Sequence, residues 1–199
     1  MIRIVIAEDQ KMLLGALAAL LELEEDMQVV GQAVSGEEAV QLARTLEPDV
    51  CIMDIEMPRM SGLEAAEQLK GSGIKIIILT TFARPGYFER ALKAGVNGYL
   101  LKDSPSEELA RAIRNIMQGQ RIYAPELIDR AYMEANPLTE RESEVLELMA
   151  EGKNTKEIAS QLYLTTGTVR NYVSVILDKL EVTNRIEAIK RFREKGWFK

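Results

Sequence analysis

The sequence predicts an α/β domain built on a doubly wound, parallel, five-stranded sheet, followed by a smaller all-α domain of four helices. Three observations carry that expectation. Short β-branched runs alternate with helical stretches up to about Gly119, the pattern of βα units around a parallel sheet. Beyond Asn136-Pro137 every segment has helical period, with several helix-start signals. The length, 199 residues, suits two domains that each bury a core.

Taken in order, the strands are Ile2 to Ala7, Met27 to Ala33, Val50 to Met53, Lys75 to Thr80 and Gly98 to Leu101. Glu8 and Asp9 follow the first, Asp54 follows the third, Thr80 ends the fourth and Lys102 follows the fifth. Loops at the carboxyl ends of such a sheet lie over its switch point, where functional groups collect. Any one of these residues alone reads as a solvated loop position; their convergence does not.

The first helix, roughly Gln10 to Leu23, carries more apolar residues than the single stripe a sheet-packed helix needs. The fifth, about Ser106 to Met117, adds Leu109, Ala110, Ile113 and Ile116. This surplus predicts a face that pairs two copies, with Leu13, Leu17, Leu109 and Ile113 at its centre. The alternative is that the linker covers it. Residues 1–118 form the first domain, 119–136 a linker with a short helical stretch from Pro125 to Ala135, and 137–199 the second domain.

In the second domain, Thr139-Glu140-Arg141-Glu142 and Asn154-Thr155-Lys156-Glu157 fit the capping box, and Gly152 ends the helix begun at Thr139. Leu162 to Thr165 is a turn between two short helices, and Thr165 caps the second. That arrangement is a helix-turn-helix.

Composition excludes several chemistries. The chain has no histidine, so Ser-His-Asp and Cys-His catalysis and an internal autokinase histidine are ruled out. Cys51 is the only cysteine, which rules out an intramolecular disulfide or a cysteine-based zinc site and leaves it as a small buried hydrophobe. No apolar run approaches the ~20 residues that span a bilayer, and the first strand runs straight into Glu8 and Asp9 without forming a signal peptide. A cytoplasmic protein without membrane insertion is expected. The net charge of −6 is unevenly spread: residues 1–136 hold 14 Lys/Arg against 21 Asp/Glu, whereas from Gly152 onward the count is 10 against 5. The basic charge lies where a nucleic-acid reader needs it.

A carboxylate attacks a phosphoryl donor poorly, because both are negative. Mg²⁺ removes that obstacle; it takes about six oxygens, usually including one or two carboxylates. Asp9 and Asp54 can supply carboxylates, Glu8 can hold a coordinated water, and the carbonyl of Glu56 can complete the protein's share. Lys102 places a positive charge beside Asp54 as phosphoacceptor, and Thr80 offers a hydroxyl to a second phosphoryl oxygen.

The set Glu8-Asp9, Asp54-Ile55-Glu56-Met57-Pro58, Gly62, Thr80 and Lys102 resembles the receiver domain of two-component response regulators. The resemblance implies a CheY-like fold, Mg²⁺-dependent phosphoryl transfer from a sensor histidine kinase, and slow self-catalysed dephosphorylation. Tyr99 falls at the family's aromatic switch position, where it would rotate inward behind Thr80; the plain alternative is a half-buried strand aromatic.

Leu138-Thr139-Glu140-Arg141-Glu142 through Val169-Arg170-Asn171 to Asn184-Arg185 is similar to the LuxR-type helix-turn-helix of the NarL/FixJ response regulators. By that resemblance Thr166 to Leu180 is the recognition helix, with Arg170, Asn171 and Ser174 facing base edges. Lys156, Thr166, Thr168, Tyr172 and Lys179 are placed for phosphates. Tyr172 stands where the family often has His, and Arg170 where it often has Lys. The helix from about Arg185 to Lys195 pairs two such domains on half-sites about 34–36 Å apart.

Together these resemblances imply a transcriptional regulator in which Asp54 phosphorylation promotes a homodimer and binding to double-stranded promoter DNA. Within the family the chain resembles regulators of membrane fatty-acid desaturation. Two rivals make other demands. A dehalogenase-type aspartyl phosphatase needs Asp two residues after its nucleophile, where Glu56 stands, and its acidic pair comes late, whereas Glu8 and Asp9 come first. A phosphorylation-dependent protein-binding module has no use for the basic surplus after Gly152.

Overall fold

The structure, a computed structural model, describes residues 1–81, 84–125, 128 and 136–198. The chain divides into two compact units, Met1–Ala83 with Phe88–Asp129, and Arg130–Lys199 with Arg84–Tyr87. Among the described residues no helix is long and apolar enough to cross a membrane.

The larger unit runs β1 (Ile2–Ala7), α1 (Lys11–Glu22), β2 (Met27–Ala33), α2 (Gly36–Leu46), β3 (Val50–Met53), α3 (Gly62–Gln68), β4 (Lys75–Thr80), α4 (Pro85–Ala94), β5 (Gly98–Leu101), α5 (Ser106–Met117) and β6 (Ile122–Tyr123). The sheet order is β2-β1-β3-β4-β5-β6, and every neighbouring pair is parallel. Buried on both faces, the central strands read as unbroken apolar runs, Ile4-Val5-Ile6 and Val50-Cys51-Ile52-Met53. The order reverses between β1 and β3, which puts the crevice at their carboxyl ends.

The five expected strands are present, and a sixth is added. Ile122 and Tyr123 lie inside the stretch read as linker, and there Ile122 N donates to Asn97 O at 3.0 Å and Ala124 N to Tyr99 O at 3.0 Å. Gly119, at φ 91°, turns the chain back after α5 and lets it cover the open edge of β5. Two residues are too few to show alternation, so this strand left no trace in the pattern. The helical stretch expected from Pro125 to Ala135 falls outside the described residues except for Pro125 and Ile128.

The smaller unit contains α6 (Glu140–Ala150), α7 (Thr155–Gln161), α8 (Thr166–Lys179) and α9 (Arg185–Glu194). Thr139, Asn154, Thr165 and Asn184 each cap a helix by accepting from a first-turn amide, and the boxes at Thr139/Glu142 and Asn154/Glu157 are closed in both directions. Val145, Leu146, Ile158, Val169, Ile176, Leu180 and Phe192 form the core.

Candidate functional site

Strand register assembles the acidic site. Ala7 pairs with Met53 across β1 and β3, so Glu8 and Asp54 leave adjacent strand ends, and Asp54 N donates to Ala7 O at 2.9 Å. Thr80 pairs with Leu101 across β4 and β5, and Lys102 N donates to Thr80 O at 2.9 Å. One carboxylate oxygen from each of Glu8, Asp9 and Asp54 lies within 4.8 Å of the others. Lys102 Nζ stands 2.5 Å from Glu8 Oε2 and 2.9 Å from Asp54 Oδ2.

Glu8, Asp54 and Thr80 are buried, while Asp9 is exposed at the mouth. Burial pushes the Glu8 carboxyl above its ordinary range, against the pull of Lys102. Burial would lower the Lys102 ammonium too, but its bonds to Glu8 and Asp54 outweigh that and hold it above its ordinary value. Three carboxylates face one ammonium, a deficit that matches the charge of one divalent cation. This donor set, all oxygen and partly open to solvent, fits Mg²⁺.

The loop after Asp54 is folded tightly. Asp54 Oδ1 accepts from the Ile55 amide at 2.7 Å, and Ile55 O accepts from the amides of Met57 and Gly62, both at 3.1 Å. Glu56 lies in this loop with its side chain exposed. A Cβ on Gly62 would stand 1.9 Å from Asp54 O, which explains why glycine occupies that position.

Tyr99 is fully buried, not half-buried, with its ring edge-on to Phe88 at 5.5 Å; Phe88 in turn meets Tyr123 of β6 edge-on at 5.6 Å. Sequence reading missed Phe88 and Tyr123, since a lone aromatic in a helix and one in a presumed linker gave no joint signal.

In the smaller unit, Arg170, Asn171 and Ser174 share one exposed face of α8, and Lys156 is exposed on α7. Thr166, Thr168 and Tyr172 are half-buried: Thr168 N donates to the capping Thr165 Oγ1 at 3.1 Å, and Tyr172 packs on the core. Lys179 is engaged elsewhere, donating to both carboxylate oxygens of Glu142 at 2.7 and 3.0 Å. Other basic residues are also bonded within this unit: Arg141 donates to Leu162 O at 2.9 Å, Arg185 to Thr155 Oγ1 at 3.0 Å and Arg191 to Leu180 O at 2.5 Å. Part of the basic surplus counted in the sequence therefore ties helices together.

The expected pairing face needs correction. Leu109 is 7% and Ile113 0% exposed; both lie in the core under the sheet and are closed to a partner. Leu13 and Leu17 are half-buried, and Leu17 also packs on that core. The exposed apolar stripe of α1 consists of Met12, Leu20 and Leu23, with Ala16 and Ala19 between them.

Comparison with known proteins matches residues 4–114 to the response regulator receiver domain and residues 136–192 to the luxR family of bacterial regulatory proteins. The chain is 71% identical to the transcriptional regulatory protein DesR of Bacillus subtilis strain 168, over the full length of both. It is 61% identical to the uncharacterized transcriptional regulatory protein YvfU of the same organism, over 99% of this chain and all of that one. Among solved structures, one of two RcsB dimers bound to two parallel DNAs matches with a TM-score of 0.68 at 26% identity, covering 96% of this chain and 98% of the other.

Proposed function

The chain belongs to the LuxR-type response regulators, the DNA-binding transcriptional regulators of two-component systems, and from that premise we propose that a sensor histidine kinase phosphorylates Asp54 in a Mg²⁺-dependent reaction that drives pairing and promoter binding. The observation that carries this reading is the buried Lys102 ammonium shared between Glu8 and Asp54. In the transfer, an Asp54 oxygen forms a bond to phosphorus as the phosphorus–nitrogen bond of the donor phosphohistidine breaks; the released imidazole takes up a proton.

Glu8, Asp9, Asp54 and the Glu56 carbonyl would hold the metal, which when bound neutralises charge between acceptor and donor. Relieved of Glu8, the Lys102 ammonium turns wholly to the Asp54 side and neutralises a phosphoryl oxygen. The Thr80 hydroxyl donates to another, since the modification adds about −1.5 to −2 charges and three acceptor oxygens. Tyr99, already inside, fills the space behind Thr80. Loss of the phosphoryl group to water is slow and self-catalysed, as the resemblance to receiver domains implies.

Phosphorylated copies pair through α1, with the exposed Met12, Leu20 and Leu23 beside the half-buried Leu13 and Leu17. In the smaller unit α8 enters the major groove, where Arg170, Asn171 and Ser174 read bases while Lys156, Thr166, Thr168 and Tyr172 meet phosphates. That RcsB binds DNA as dimers supports the binding of DNA by paired copies. The resemblance to regulators of desaturation, with the 71% identity to DesR behind it, supports control of membrane lipid composition as the process this regulator serves.

Asp54→Asn tests the whole scheme. The expected outcome is loss of labelling by acetyl phosphate, of donor-dependent self-association and of the gain in promoter affinity, a coupling of about 1–3 kcal/mol. A variant that keeps all three would overturn the scheme. Sequencing of genomic fragments retained by the phosphorylated protein tests the lipid assignment, which fails if no lipid-modifying gene is among them.

A further inference from the structure

Glu142 stands in the first turn of α6 with 6% of its surface exposed. Its Oε2 accepts from the Thr139 amide at 2.7 Å and from Lys179 Nζ at 2.7 Å, and its Oε1 accepts from the same Nζ at 3.0 Å. Burial alone would raise this carboxyl, but Lys179 and Thr139 outweigh it and hold the group below its ordinary range. The capping box fixes the carboxylate to the start of α6, so the last turn of α8 is tied to an immobile post.

The position of Lys179 on the helix is equally telling. At roughly 100° per residue, Arg170, Asn171 and Ser174 cluster on one side of α8, and Lys179 lies about 130° round from their centre. It flanks the buried stripe of Val169, Val173, Ile176 and Leu180. Apolar packing on that stripe holds α8 down but is non-directional, so it resists rolling about the helix axis only weakly. Charge-assisted hydrogen bonds have a direction. From Lys179 to Arg170 is about 13 Å along the axis, long enough for a small change of pitch at one end to displace the other.

We propose that the Glu142–Lys179 pair is a positioning device, which sets the roll and pitch at which α8 presents Arg170, Asn171 and Ser174, and that Lys179 makes no phosphate contact of its own. The proposal rests on the reading that α8 enters the groove. It removes Lys179 from the phosphate set expected from the sequence and gives Glu142, an acidic residue, a part in DNA binding.

The test uses the full-length protein and a fluorescently labelled, mixed-sequence duplex, with anisotropy followed over a salt series at a temperature where circular dichroism shows every variant folded. Lys179→Met and Glu142→Gln should each weaken binding by about tenfold, with the double variant no worse than either, as expected for partners in one interaction. The slope of log affinity against log salt should match wild type, and Lys179→Arg should recover most of the loss. A direct phosphate contact predicts otherwise: Lys179→Met would lower that slope by about 0.9, and Glu142→Gln, which removes a negative charge, would tighten binding. Either result overturns the proposal. Unchanged affinity in both variants does the same, because a purely stabilising pair has no effect in a folded protein. If Lys179→Met does not fold, the sign of the Glu142→Gln effect decides: weaker binding supports the device, and equal or tighter binding refutes it. Failure of the wild type to bind any duplex would instead count against the DNA-binding reading itself.

Discussion

Gly62 opens α3, and the 1.9 Å that would separate an added Cβ from Asp54 O is too short for any side-chain adjustment to relieve. The backbone must move, and what moves is the phosphoacceptor loop. Gly62→Ala is therefore expected to cost about 1–3 kcal/mol in thermal unfolding and to reduce acetyl-phosphate labelling of Asp54 sharply. Glu142 makes a prediction of a different kind. Its carboxyl is held below the ordinary 4.5, so its ionised form contributes stability above that value and loses it as pH falls through the folded-state pKa. Melting temperatures of wild type and Glu142→Gln should accordingly differ most near neutrality and converge below about pH 4.5. The contact of Gly62 with Asp54 O and the bond of Glu142 to Lys179 cannot be read from the neighbouring residues in sequence. Gly62 stands eight positions from Asp54 at the start of α3, and the partner of Glu142 is 37 positions away.

At the scale of elements, α1 and α5 are both amphipathic helices against the sheet, with different apolar patterns and different fates. The period of α5 fits one stripe, and that stripe is consumed by the sheet; Ile113→Ala should leave a cavity costing about 2–5 kcal/mol in denaturant unfolding. The pattern of α1 runs round the helix, with Leu14, Ala18 and Leu21 turned inward and Met12, Leu20 and Leu23 turned out. Met12→Asp should leave the melting temperature within about 1–2 °C of wild type, as surface changes do, yet reduce phosphorylation-dependent dimer in sedimentation velocity. Periodicity tells how wide an apolar face is but not which neighbour covers it, and for that reason the sequence could suggest a pairing surface while naming two core residues as its members. Five of the six strands were legible to the residue, most plainly β1, β3 and β4, which are apolar runs covered on both faces and rich in β-branched residues. The capping boxes were equally plain, since their partners are three residues apart. Long-range partners such as Lys179 with Glu142 leave no such local mark.

For the molecule as a whole, the sequence revealed the cluster of Glu8, Asp9, Asp54, Thr80 and Lys102 because one topological rule brings strand ends together. It did not reveal how the larger unit finishes. β6 supplies the last hydrogen bonds to β5 through the Ile122 and Ala124 amides, and Tyr123 lays its ring on Phe88 and gives its hydroxyl to Val96 O at 3.1 Å. A fragment cut at residue 118, where the pattern of α5 ends, would lack all of this. Its outermost strand would offer bare carbonyls to any passing chain. Such a fragment should associate without a phosphoryl donor in sedimentation velocity, whereas one carried through residue 125 should stay monomeric until the donor is added. Anyone who isolates the signalling half alone thus risks mistaking a frayed border for an activated state.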